Sequence, residues 1–206
     1  MLTVWGRNNS INVMKVLWVC DEIGVAYRRI DAGLQYGVVD TPEYRQMNPN
    51  GRIPTIDDDG FVLWESNAIV RYLAALHERD DLLPREPGAR ADVERWMDWT
   101  TASLTIGMTP LFWQLIRTPS DKRDARVLAQ ATLDAERCMR LLDQHLATRD
   151  HLSASRFTVA DIPAAAFVQR WYSLPMTRPS LPALEAYRQR MLLREPFCVN
   201  VVQPLS

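Results

Sequence analysis

Three short stretches carry side chains able to do chemistry. Glu65-Ser66 stands between an apolar run, "FVLW", and the helical pattern "SNAIVRYLAAL". A helix start offers unpaired backbone N–H groups and the positive end of a dipole, which together attract a carboxylate. Ser66 adds a hydroxyl donor there, and Glu65 sets a negative charge beside it. An anion acceptor next to a cation acceptor suits the zwitterionic head of an amino acid. Ile53-Pro54 enters a strand with a residue that donates no ladder hydrogen bond. In the cis form this turn would present the Ile53 backbone N–H and C=O outward, where an extended peptide could pair as an added strand. Ser10-Ile11-Asn12 precedes another helix, and a hydroxyl and an amide at that start would meet a thiolate well. Each stretch also has a plainer reading: Ser10 and Ser66 as helix caps, Pro54 as an ordinary trans proline.

The elements that must hold these residues are legible as patterns. Leu2–Trp5 is a short apolar strand, and Val13, Val16, Leu17, Cys20 and Ile23 recur at helical spacing. Val25–Asp31 alternates like a strand. Thr41-Pro42 is an N-cap followed by proline at the first helical position. "PTIDDDGFVLWE" reads as two strands about an Asp57–Asp59 turn, best taken as a solvated tip rather than a metal site. Ile69, Val70, Leu73 and Leu76 mark the next helix. The order is β-α-β-α-β-β-α. The expected division is a mixed domain over residues 1–79, a polar linker over 80–88 and an all-helical domain over 89–206. Within the helical domain an apolar stripe runs from Val93 to Leu115, with a kink expected at Pro110. A second runs from Val127 to Leu146. Thr158 and Asp161 form a capping box for a third helix, and "SLPALEAYRQRM" is a fourth.

Composition excludes several classes. The 206 residues are 47% apolar, ample for a core, and the formal net charge of −1 gives no basis for a nucleic-acid surface. No apolar run approaches the ~18 residues of a membrane span, and "MLTVWGRNNS" has none of the build of a signal peptide. Cys20, Cys138 and Cys198 are far apart and odd in number, which fits a reducing cytoplasm. His77, His145 and His151 are scattered, with no ligand spacing for a metal.

In order along the chain, "NPNGRIP", "WESNAIVRYL", "RWMDWTTASLTIGMTPLFW" and "FTVADI" resemble segments of the cytosolic glutathione transferase family. The resemblance covers essentially the whole chain. It implies a thioredoxin-like N-terminal domain, an α-helical C-terminal domain and a homodimer with glutathione as co-substrate and no metal. It implies that Ile53 and cis-Pro54 pair with the cysteinyl backbone of glutathione, that Glu65 and Ser66 hold its γ-glutamyl head, and that Arg52 lies near its glycine carboxylate. Asp98 occupies the place from which some branches reach across the dimer to the γ-glutamyl amine. Where many members carry Tyr, Ser or Cys at the sulfur, this chain has Ser10-Ile11-Asn12 followed by Lys15. That pattern is closer to bacterial and fungal, nu-like branches.

No cysteine lies near position 10, so no mixed disulfide with an enzyme nucleophile is expected, and the resemblance leaves Ser10, Asn12 or a backbone N–H to activate the sulfur. Ser10 is favoured for its short charge-assisted bond, Asn12 is kept for its place nearer the helical N–H groups, and Arg7 is a further candidate in the loop. Leu104, Met108, Phe112 and Trp113 are expected either to wall the pocket for a small electrophile or to be plain helix-packing core. Two alternatives stay open. The same thiol could serve a disulfide reductase or isomerase, and the same fold could be a non-catalytic binding or regulatory module.

Overall fold

The computed structural model describes residues 1–206. It divides into two compact units, Met1–Leu83 with Pro196–Gln203, and Pro84–Glu195 with Pro204–Ser206. The first unit thus runs past residue 79, and Leu82 and Leu83, within the expected linker, are both buried. The assignment of residues 196–203 to the first unit is a feature the sequence patterns do not announce.

In the first unit β1 (Leu2–Trp5), β2 (Tyr27–Ile30), β3 (Thr55–Asp58) and β4 (Phe61–Trp64) form one sheet in the order β2-β1-β3-β4. β1 runs parallel to β2, with Leu2 opposite Tyr27, and antiparallel to β3, with Val4 opposite Ile56. β3 and β4 form the hairpin, Asp58 opposite Phe61. At its tip Asp57 Oδ1 accepts from the Gly60 N–H at 2.7 Å. Three helices complete the βαβαββα order, α1 (Ile11–Ile23), α2 (Pro42–Met47) and α3 (Ser66–Leu76). α1 ends at Gly24, whose left-handed backbone returns its N–H to the carbonyls of Cys20 and Asp21. α2 starts as its sequence dictates, with the Tyr44 N–H bonded to Thr41 Oγ1 at 3.3 Å and Pro42 in the first turn. α1 and α3 pack together, burying Val16, Cys20, Ile69, Val70 and Leu73.

The second unit is helical throughout: α4 (Pro87–Trp99), α5 (Thr105–Phe112), α6 (Ala125–Leu146), α7 (Asp161–Ser173) and α8 (Pro182–Leu192). Two π turns, Thr100–Leu104 and Trp113–Arg117, flank α5, which contains Pro110. Thr100 to Leu104 thus widen the helix where the apolar stripe predicts a regular run. Thr105 Oγ1 donates to the Thr100 carbonyl at 2.9 Å across the first widened turn. α7 is buried from Asp161 to Trp171 and is the centre of this unit. The capping box is present: the Thr158 N–H bonds Asp161 Oδ2 at 2.9 Å and the Ala160 N–H bonds Thr158 Oγ1 at 3.3 Å. α9 (Glu195–Val201) lies almost wholly in the first unit, where Phe197 stacks edge-on against Trp18 at 4.9 Å and Asn200 Nδ2 donates to Asp21 at 2.6 Å.

Candidate functional site

The loop from β1 to α1 is fixed first at Gly6. Its N–H donates to the Ile30 carbonyl at 2.8 Å, and its own carbonyl accepts from Arg29 Nη1 at 2.9 Å. A Cβ at this position would stand 2.4 Å from Val13 Cγ2, so only glycine lets the start of α1 close on the strand. That closure sets where residues 7–12 emerge.

The segment before β3 is tied by two side chains. Asn48, 2% exposed, donates from Nδ2 to the Arg52 carbonyl at 2.9 Å and to Thr55 Oγ1 at 3.0 Å. Its Oδ1 accepts from the Asn50 N–H at 3.1 Å. The Tyr44 hydroxyl donates to the same Arg52 carbonyl at 2.7 Å and shares a 2.8 Å bond with Thr55 Oγ1. Burial raises the Tyr44 phenol above its ordinary pKa, so it stays a neutral donor. Ile53-Pro54 is cis. The β1–β3 ladder begins only at Thr55, so the Ile53 N–H and C=O take no part in it.

At the start of α3, Glu65 occupies the N-cap position with φ +73° and ψ 108°, a conformation that side chains other than glycine rarely adopt. Its carbonyl accepts the first helical bond, from the Ile69 N–H at 2.9 Å, while its carboxylate is exposed and makes no capping bond. Ser66 is the first helical residue, not the cap. The residue is 7% exposed, and its hydroxyl points to Asn12 Oδ1 at 3.4 Å rather than to a backbone N–H. The capping alternative therefore does not describe Ser66. Ser10 does stand at the N-cap position of α1, but its side chain makes no capping bond.

These pieces meet. Asn12, Asn48, Asn50, Arg52, Ile53, Pro54, Glu65 and Ser66 line one cavity of about 110 Å³. Drug-sized ligand sites enclose roughly 300–1,000 Å³, so this cavity is of a size for a head group rather than for a whole ligand. Its lining thus combines an acidic residue, Glu65, a basic one, Arg52, the hydroxyl residue Ser66 and the cis Ile53-Pro54 turn. Two residues expected here, Ser10 and Arg7, are not among its lining. Ser10 is 9% exposed. The Arg7 guanidinium lies by Gly33, where the Ile53 side chain also approaches.

The remaining expected residues belong to the helical unit. Asp98 is exposed on α4. Leu104 and Met108 are fully buried and Phe112 is 4% exposed, as packing residues are, whereas Trp113 is 46% exposed. Burial pushes the Cys20 thiol up to about 12, so it remains a protonated, inert core residue.

Sequence patterns assign no site role to Asn48, Asn50 or Lys15. They mark Asn48 and Asn50 only as members of a turn. Lys15 is 3% exposed, and its Nζ donates to Asn12 Oδ1 at 2.9 Å and lies 3.5 Å from Ser66 Oγ. A signal for Lys15 does exist: every residue from Val13 to Cys20 except Lys15 is apolar, so its charge has no solvent face to occupy.

The chain compares closely with known proteins. The family model described as glutathione S-transferase, N-terminal domain, matches residues 1–75, and that of the C-terminal domain matches residues 103–195. The chain belongs to the glutathione S-transferase family. It is 36% identical over 208 residues to glutathione S-transferase GstB of Escherichia coli strain K12, with 100% of each chain covered. It is 31% identical over 191 residues to glutathione S-transferase 3 of Zea mays, covering 91% of this chain and 84% of the maize protein. Among solved structures, the theta class glutathione S-transferase from Xanthomonas axonopodis pv. citri, with glutathione bound, superposes with a TM-score of 0.96 at 44% identity, covering 100% of this chain and 99% of that one.

Proposed function

We propose that this chain is a glutathione transferase that seats glutathione at the cavity of its first unit, holds the sulfur as a thiolate and conjugates it to a small electrophile. Family membership and full-length identity to named glutathione S-transferases support the activity. The observation that carries the site is that Asn12, the Ile53-Pro54 turn and the Glu65-Ser66 helix start, three separate segments, line one cavity. In this reading Glu65 accepts the γ-glutamyl ammonium. Ser66 and the free N–H groups of α3 take the neighbouring carboxylate. The Ile53 backbone pairs with the cysteinyl residue, and Arg52 reaches the glycine carboxylate.

A free thiol with pKa about 8.5 is only about 3% ionised at pH 7, and lowering that pKa by about two units makes most of it thiolate, worth roughly 2.7 kcal/mol. Asn12 at the cavity and the N–H groups at the start of α1 supply donors for that charge. The thiol proton leaves to solvent. The thiolate then forms the carbon–sulfur bond as a halide departs, or adds to one carbon of an activated double bond while the other takes a proton back from solvent. The chain works as a cytoplasmic homodimer.

Calorimetry tests the reading. Glutathione should bind with one site per chain, and Ser66→Ala should weaken it by roughly 1–3 kcal/mol, the scale of a hydrogen bond to a charged group. A wild-type chain that takes up no glutathione overturns the assignment, and an unchanged affinity in the variant removes Ser66 from the site. A panel of aryl halides and disulfides then separates conjugation from disulfide reduction.

A further inference from the structure

Asn12 is an amide with two different ends, and the structure fixes which one faces inward. Its Oδ1 receives Lys15 Nζ at 2.9 Å and stands 3.4 Å from the Ser66 hydroxyl. An ammonium has three donors and no acceptor. The opposite orientation would set the amide NH2 against that ammonium, donor against donor. With Oδ1 taken up by Lys15 and Ser66, Nδ2 is the end of the amide left to donate to a ligand in the cavity that Asn12 lines. Lys15 itself is almost fully buried in the middle of α1, where an ammonium is costly unless it is engaged.

We propose that Lys15 is a positioning residue for the glutathione sulfur: its ammonium holds Asn12 by the amide oxygen so that the amide NH2 donates to the thiolate. This rests on the reading of the cavity as the glutathione site. Lys15 reaches Ser66 as well, so one buried cation joins the sulfur end of the site to its γ-glutamyl end. The charged groups around the cavity are Lys15 from α1, Arg52 from the segment before β3 and Glu65 from the start of α3.

The test follows the ultraviolet absorbance of the thiolate of bound glutathione against pH in the full-length protein. Lys15→Met, Asn12→Ala and the double variant are compared, with binding of S-methylglutathione measured alongside. Lys15→Met and Asn12→Ala should each raise the apparent thiol pKa by about one unit, a tenfold loss of thiolate at a given pH. The double variant should be no worse than Asn12→Ala alone, because Lys15 acts through Asn12. Affinity for S-methylglutathione, which has no thiol to hold, should fall less in Asn12→Ala and Lys15→Met than affinity for glutathione at a pH where the wild-type complex is thiolate; an equal fall would mean that the variants act on the γ-glutamyl end and would overturn the inference. Lys15→Gln, which keeps an NH2 donor, should recover some of the shift.

If Lys15→Met leaves the thiol pKa in place while Asn12→Ala moves it, or if the two shifts add in full, the inference fails and the site reading stands. If Asn12→Ala moves nothing, Asn12 is not the sulfur donor and the inference falls with it. Failure of the wild-type chain to bind glutathione removes the site reading as a whole. Should Lys15→Met not fold by circular dichroism, Lys15→Ala is read by the same criteria.

Discussion

Glu65 holds a backbone conformation at φ +73° that an L side chain reaches only at a cost. Positions of this kind cost about 1–3 kcal/mol and cluster at functional sites. Here the strain accompanies an exposed carboxylate at the mouth of a helix start that would otherwise attract only anions. Replacing the side chain separates the two effects. Glu65→Gly removes the steric conflict and adds a glycine entropy penalty of about 0.5–1 kcal/mol. The variant should therefore melt about 2–4 °C higher, the response of a chain this size to roughly 1 kcal/mol. It should also bind glutathione at least tenfold more weakly, having lost the acceptor for the ammonium. A lower melting temperature would show that the conformation is not strained. The neighbouring Ser66 illustrates why a cap assignment needs geometry: a serine before an apolar helical run reads as an N-cap, yet its hydroxyl here is directed to Asn12 and Lys15.

Between elements, α5 and α6 approach closely at Gly107. A Cβ at Gly107 would lie 2.4 Å from the Ala135 backbone nitrogen and 2.8 Å from the Asp134 carbonyl carbon. Both are main-chain atoms of α6, so a side chain there must push one helix off the other. Gly107→Ala should destabilise the chain by about 1–3 kcal/mol, the usual cost of overpacking, measured as an earlier urea midpoint with an unchanged slope. A neutral result would mean that the helices separate at no cost. Elements whose cause is local are legible in the sequence. The four strands, α1 to α3 and the Thr158–Asp161 box each follow from spacing or from a cap within a few residues. The π turns around α5 are not, because an apolar stripe reads the same through a widened turn. Nor is α9, since its partners Trp18 and Asp21 lie far back in the chain, 179 positions for the Asn200–Asp21 bond. The cavity is legible as motifs, but the role of Lys15 is not, because helical spacing marks a buried face and says nothing about a polar group enclosed in it.

For the molecule as a whole, no helix is long and apolar enough to cross a membrane. A role for Asp98, exposed on α4 of the helical unit, depends on the proposed homodimer. Light scattering at micromolar concentration should give twice the 23.7 kDa chain mass. In that dimer Asp98→Ala should weaken glutathione binding by about 1–2 kcal/mol, as for loss of a charged hydrogen-bond partner. Monomer alone would overturn both statements, and a dimer with unchanged affinity would overturn only the second. The first unit is assembled from two pieces of chain, Met1–Leu83 and Pro196–Gln203, with the helical unit encoded between them. A nascent chain leaving the ribosome therefore lacks the partners of Trp18 and Asp21 on α1 until Phe197 and Asn200 emerge, after residues 84–195 of the helical unit have been translated. Synthesis order thus begins the sheet-bearing unit first and leaves it unfinished until the chain has passed through residues 84–195.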